Sequence, residues 1–172
     1  MTLVVNLFAA PGSGKSTTAA GLFHLLKSDG VNAELTSEFA KELTWSKRQS
    51  TLEDQIYVFA KQHHKLFYLK DQVDVIIVDA PLLLGLVYGE SYPECFHNLV
   101  NWSFDQYNNL NFLLKRTKAF NPAGRNQTEE ESDALKRKII AMLIKEDRVY
   151  FEAEGNKAGL QDIYNLVRKC LK

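Results

Sequence analysis

The sequence predicts a three-layer α/β domain, with a five-stranded, mainly parallel sheet between two layers of helices. Three observations carry this prediction. Short apolar runs alternate with capped, amphipathic stretches along the whole chain, a pattern that implies right-handed crossovers and parallel strands. The runs are continuous rather than alternating, as strands covered on both faces are. The first run ends in a small-residue loop, Ala9-Ala-Pro-Gly-Ser-Gly-Lys-Ser16, and passes directly into a helical pattern. Strand, glycine loop, Lys-Ser and helix is the layout of a phosphate-binding loop.

Taken in order, Thr2–Phe8 reads as the first strand and Ser16–Ser28 as the first helix, stopped by Asp29-Gly30. Val31–Thr36 is a second strand. Ser37 is placed to cap a helix from Glu38 or Phe39 to about Trp45. Thr51-Leu-Glu-Asp looks like the cap of one long helix from Leu52 to about Leu69, with Ile56, Phe59, Leu66 and Phe67 at helical spacing. Val73–Val78 is the most apolar run and ends at Asp79. Helices are expected over Leu82–Tyr88 and from Pro93 to about Tyr107, with a strand at Leu110–Leu114. Residues 115–127 are polar, contain Pro122 and Gly124, and read as a loop. Thr128-Glu-Glu-Glu caps a helix to about Ile144. Arg148–Glu152 is the last strand and Leu160–Leu171 the closing helix.

The glycine loop carries the clearest chemistry. Gly12 and Gly14 are open to backbone angles closed to other residues, so amides around Ser13 can turn toward a phosphate chain. The helix beginning near Ser16 and Thr17 adds its unpaired N–H groups and positive dipole end. Lys15 reaches the β- and γ-phosphates, and the Ser16 hydroxyl suits Mg²⁺. Ala9 stands where the consensus has glycine, which requires a negative φ at that position.

Ligands of open α/β sheets bind at the carboxyl ends of the strands, and further candidates fall there. Asp79 ends Val-Asp-Val-Ile-Ile-Val-Asp, the arrangement in which a carboxylate holds Mg²⁺ directly or through water. Its bland reading is a turn cap. Asp74 is at the opposite end of that strand. Glu38 follows the second strand, where a carboxylate can take the proton of an attacking hydroxyl; otherwise it serves the helix dipole. Glu42, one turn on, is the fallback. Arg116 and Arg125 flank a loop, with Lys115 and Lys118 as weaker cations and Gly124 and Asn126 as hinges. Such a loop suits a lid over approximately 115–127 that neutralises charge developing during transfer, against the alternative of a solvated basic loop.

Trp45, Lys47, Arg48, Gln55, Tyr57 and Gln62 mix aromatics, cations and amides that can stack on a base and read its edge. Gln55 and Gln62 lead, because an amide offers donor and acceptor to a pyrimidine. The competing reading is core packing. His63-His64 point in different directions on a helix and complete no metal pattern.

With 21 basic and 21 acidic residues, no global field recruits nucleic acid or an anionic membrane. Cys95 and Cys170 read as free thiols in a reducing cytoplasm. The first strand starts without a basic leader, no apolar run is long enough to span a bilayer, and no linker is evident. A single domain over residues 1–172, without an obligate protein partner, is the expectation.

The chain resembles phage-type P-loop kinases that look like 5-hydroxymethyluracil DNA kinases, within the superfamily of nucleoside, nucleotide and polynucleotide kinases. The matching stretches span nearly its whole length: Ala10–Phe23, Glu38–Leu43, Asp54–His63, Asp79–Leu84 and Phe120–Thr128. The resemblance implies a P-loop NTPase fold, ATP and Mg²⁺ as cofactors, and γ-phosphate transfer to the hydroxymethyl group of a modified pyrimidine in DNA within a phage-infected host. A small-molecule nucleoside or nucleotide kinase is a second reading and needs no extended basic surface. A nucleotide-driven switch or assembly ATPase is a third.

Overall fold

The structure, a computed structural model, describes residues 1–117, 119 and 128–171. Five strands, β1 (Leu3–Phe8), β2 (Ala33–Thr36), β3 (Val75–Val78), β4 (Asn108–Lys115) and β5 (Phe151–Glu154), form one sheet in the order β2-β3-β1-β4-β5. Every neighbouring pair is parallel, so the expected α/β fold with a central parallel sheet is the one observed. Because β1 lies in the middle, the loop that follows it opens at the centre of the carboxyl edge.

Both faces of the sheet are mostly apolar, with Asn6 and Asn111 the buried polar exceptions in β1 and β4. Leu3, Val5 and Leu7 of β1 point to a layer made by α1 (Lys15–Ser28) and α8 (Lys157–Cys170), with Leu22, Leu26, Ile163 and Val167 buried beneath them. Val4 and Phe8 point the other way. There α4 (Gln55–Phe67), α5 (Leu84–Tyr88), α6 (Glu94–Asp105) and α7 (Glu129–Lys145) bury Phe59, Leu66, Val100, Phe104, Ile139 and Leu143. The remaining helices, α2 (Phe39–Trp45) and α3 (Gln49–Glu53), follow β2 and stand at the carboxyl edge.

The long helix expected from Leu52 is two helices. Asp54 breaks it, and the cap is Asp54 rather than Thr51: its carboxylate accepts from Tyr57 N at 3.1 Å. The Tyr92 hydroxyl stitches the break, accepting from Gln55 N at 3.2 Å and donating to the Glu53 carbonyl at 3.4 Å. The last strand starts later than Arg148. Asp147 turns the chain with a positive φ of 51° and the Arg148 side chain pairs with Asp105, so the ladder to β4 begins only at Phe151. The box at the start of α7 forms as the sequence requires, with Thr128 and Glu131 each bonding the other's backbone N–H. Among the described residues no helix is long and apolar enough to cross a membrane.

Candidate active site

Gly12 and Gly14 take φ values of 85° and 82°, in the left-handed region that favours glycine. Gly14 caps α1 without any side-chain bond, so the first amides of the helix are left for a ligand. Ala9 tolerates the consensus glycine position because its φ is not positive: outside glycine, positive values occur among the described residues only at Lys47, Asp71 and Asp147. Two contacts from elsewhere fix the loop. The fully buried Ser132, in the first turn of α7, donates to the Pro11 carbonyl at 2.8 Å. Gly155, just after β5, packs its backbone against Ser13 and Gly14 and donates its N–H to the Lys115 carbonyl at 2.9 Å. Neither residue stands out in the sequence.

Lys15 points from the first turn of α1 across the end of the sheet. Its ammonium donates to Glu38 Oε2 at 3.1 Å, to Asp79 Oδ1 at 3.0 Å and to the Asp79 carbonyl. Burial works to lower the Lys15 pKa, but the two carboxylates outweigh it and hold the amine above the usual lysine range. Ser16 Oγ donates to Asp79 Oδ2 at 2.7 Å, and Asp79 itself is buried. A hydroxyl and a carboxylate converging in this way form a hard-oxygen donor set that suits Mg²⁺ with water and phosphate oxygens.

Glu38 is the N-cap residue of α2, yet its side chain makes no cap bond; it turns to Lys15 instead. Glu42 turns the other way. Lys65 donates to it at 2.9 Å and Ser37 at 3.2 Å, and the bond from Lys65 leads in lowering its pKa. The fallback carboxylate is thus committed to an ion pair away from Lys15. Asp74 sits at the opposite edge of the sheet, accepting from Asn32 N at 3.1 Å.

A cleft of about 490 Å³ runs from the glycine loop to the α2–α4 region. One half is lined by Gly12, Gly14, Lys15, Ser16 and Thr17. The other is lined by Glu38, Lys41, Trp45, Gln55, Leu84 and Tyr88, among others. A second cavity of about 500 Å³ lies beside it, more open to solvent and bordered by Val87, Glu90 and Lys138; it contains no glycine-loop residue. Tyr88 forms part of both walls. Burial pushes its phenol up to about 12, with the Glu38 carboxylate adding to the effect, although the ring remains partly exposed.

The sequence candidates divide accordingly. Trp45 and Gln55 line the cleft, Gln55 also donating to the Leu52 carbonyl at 2.7 Å. Gln62 does not line it. It is buried under α2, where its Oε1 accepts from Phe39 N at 3.3 Å, so it supports the backbone beside Glu38 rather than reading a ligand. Arg48 is exposed outside the lining. Arg116 is drawn to α7 by Asp133 at 2.6 Å and Glu129 at 3.2 Å, because the acidic first turn of that helix faces it. Arg125, Lys118, Gly124, Asn126 and most of the expected lid lie outside the described residues. His63 packs against Phe59 and Phe67. Tyr88 and Lys41 are cleft residues that sequence reasoning passed over.

A family profile described as AAA domain matches residues 4–158. No curated protein matches the sequence. Among solved structures, the chain is similar to a deoxyadenosine kinase from M. mycoides with products dCMP and a flexible dCDP bound. The TM-score is 0.59 at 16% identity, covering 98% of this chain and 100% of that one. The same enzyme with bound dCTP gives a TM-score of 0.56 at 15% identity, covering 96% and 99%. At these identities the likeness is one of fold.

Proposed function

The chain belongs to the AAA domain family, and we propose that it is a kinase, using ATP and Mg²⁺ to phosphorylate an alcohol group of a nucleoside or nucleotide. The observation that carries this reading is the meeting of Lys15, Glu38 and Asp79 where the two halves of one cleft join. A glycine loop alone serves many nucleotide-binding proteins. A carboxylate on the far side of its lysine, opening into a second half-cleft, is what a second substrate with a hydroxyl needs. The fold shared with deoxyadenosine kinases supports the small acceptor.

In this reading the glycine-loop amides and Lys15 hold the phosphates, and Ser16 and Asp79 hold Mg²⁺. The metal supplies charge neutralisation on the transferring group. Lys15 leaves Glu38 for the phosphates, which frees the Glu38 carboxylate to orient the acceptor hydroxyl and accept its proton. A loose phosphoryl transition state asks more for position than for strong base, and a fixed carboxylate provides position. Trp45, Leu52, Val58 and Leu84 give the acceptor half apolar walls, and Gln55 gives it an amide.

A narrower acceptor, the hydroxymethyl group of 5-hydroxymethyluracil in DNA, follows from the sequence resemblance. The 67% exposure of Trp45 on the wall of the cleft supports a base entering from outside. Labelled ATP offered with deoxynucleosides, their monophosphates, hydroxymethyluracil DNA and plain DNA separates these acceptors. Label is expected on a small acceptor; label on hydroxymethyluracil DNA alone selects the narrower reading. Label only in inorganic phosphate would overturn both and favour an ATPase or switch.

A further inference from the structure

Lys41 gives the acceptor half of the cleft a positive charge that nothing in the described structure balances. It stands on α2 one turn beyond Glu38 and lines the cleft with it. Lys15 and Lys41 are the two cations among the described lining residues, whereas Lys47 and Arg48, just beyond α2, are exposed outside the lining. Lys15 is held by Glu38 and Asp79, Lys65 by Glu42, Lys138 by Glu90, and Lys61 lies over the Tyr57 ring. Lys41 has no hydrogen-bond, ion-pair or ring partner among the described residues. Glu38 is the one carboxylate among the lining residues, and it is already paired with Lys15.

Lys41 is exposed on the cleft wall, and an acceptor that reaches it removes water from its ammonium. A neutral acceptor leaves that charge desolvated and unpaired, which is unfavourable. An acceptor carrying phosphate replaces the lost water with a charge-assisted hydrogen bond. Resting on the kinase reading above, we propose that Lys41 is a specificity-determining residue for a phosphate group on the acceptor. The preferred acceptor class is then nucleotides rather than free nucleosides.

The test is equilibrium binding with the glycine loop filled by Mg²⁺ and a non-hydrolysable ATP analogue. The four deoxynucleosides, their 5′-monophosphates and a short single-stranded oligonucleotide are titrated into wild type, Lys41→Met and Lys41→Arg. A charge-assisted bond corresponds to about tenfold or more in affinity. At least one phosphate-bearing ligand is expected to bind that much more tightly than its nucleoside. The gain should vanish in Lys41→Met and return largely in Lys41→Arg. A gain shown by monophosphates assigns the site to nucleotides; one confined to the oligonucleotide keeps the phosphate contact but overturns the nucleotide class. No phosphate-dependent gain with any ligand, or a gain that survives in Lys41→Met, overturns the proposal. A Lys41-dependent gain without phosphoryl transfer to any acceptor sinks the kinase reading and leaves the anion site standing.

Discussion

Lys15 and Glu38 form an ion pair at 3.1 Å across the floor of the cleft, so in the free protein the phosphate-loop lysine is bonded to the carboxylate that faces the acceptor half. The pair links the two halves of the site. On the kinase reading, phosphates that draw Lys15 away would release Glu38, whereas an acceptor arriving first would meet a carboxylate already engaged. Nucleotide before acceptor is the binding order this geometry favours.

Acceptor affinity should therefore rise when the ATP site is filled. Calorimetric titration of acceptor with and without Mg²⁺ and an ATP analogue checks this, with a gain of about tenfold expected for a released charged pair. Lys15→Met should weaken this coupling and reduce transfer to near background. Equal acceptor affinity in both conditions would mean that the pair does not govern entry.

Asp79→Asn should raise the Mg²⁺ concentration for half-maximal rate by about tenfold or more, since an amide is a poorer ligand for a hard cation than a carboxylate. The buried carboxylate also accepts from Ser16 at 2.7 Å, so Ser16→Ala should move the titration in the same direction. An unchanged Mg²⁺ dependence in both variants would reduce Asp79 to holding Lys15.

Gly155→Ala tests the support behind the phosphate loop. A Cβ built there lies 2.0 Å from the Ser13 carbonyl oxygen and 3.1 Å from that of Lys115, both backbone atoms that cannot swing away. Overpacking of this kind costs roughly 1–3 kcal/mol or more. Thermal melting should show the loss, and ATP affinity should fall with it because the displaced atoms belong to the loop. Native melting and binding would show that the β5–α8 turn moves independently of the loop.

Tyr88 gives the protein an alkaline signature. Its phenol is held near 12, above the roughly 10 of an unfolded tyrosine. The folded state therefore keeps a proton that the unfolded state has lost, and the associated stability is present below pH about 10 and declines as pH rises through 12. Lys15 acts in the same direction, its stabilisation fading above the ordinary lysine value near 10.4. Tyr88→Phe should lose the latest step in the tyrosinate absorbance titration and flatten the alkaline fall in melting temperature. The effect is modest because the residue is 44% exposed.

The meeting of Lys15, Ser16, Glu38 and Asp79 was legible in the sequence because the glycine loop follows β1 and the two carboxylates stand just past β2 and β3, and a parallel sheet gathers such positions at one edge. The strands were legible because β1 and β3 are buried throughout. The break at Asp54 was hidden: apolar spacing continues across it, and the Tyr92 hydroxyl that bridges it comes from a distant segment. Gln62 shows that polarity does not give direction, since its amide oxygen accepts from Phe39 N beneath α2 and the residue is buried away from the cleft lining. Gly155, Ser132, Tyr88 and Lys41 gained their meaning only when folding carried α2, α5, α7 and the end of β5 to the phosphate loop.

The central claim is that Glu38, across from Lys15, serves an alcohol acceptor. The most direct measurement partitions labelled γ-phosphate between acceptor and water in wild type, Glu38→Gln and Glu42→Gln at saturating ATP. Transfer to acceptor should fall about a hundredfold or more in Glu38→Gln, the loss typical of a general base, with ATP binding nearly unchanged. Glu42→Gln should stay near wild type, because its partners are Lys65 and Ser37. Undiminished transfer in Glu38→Gln, or label that reaches only water whatever acceptor is present, would contradict the account.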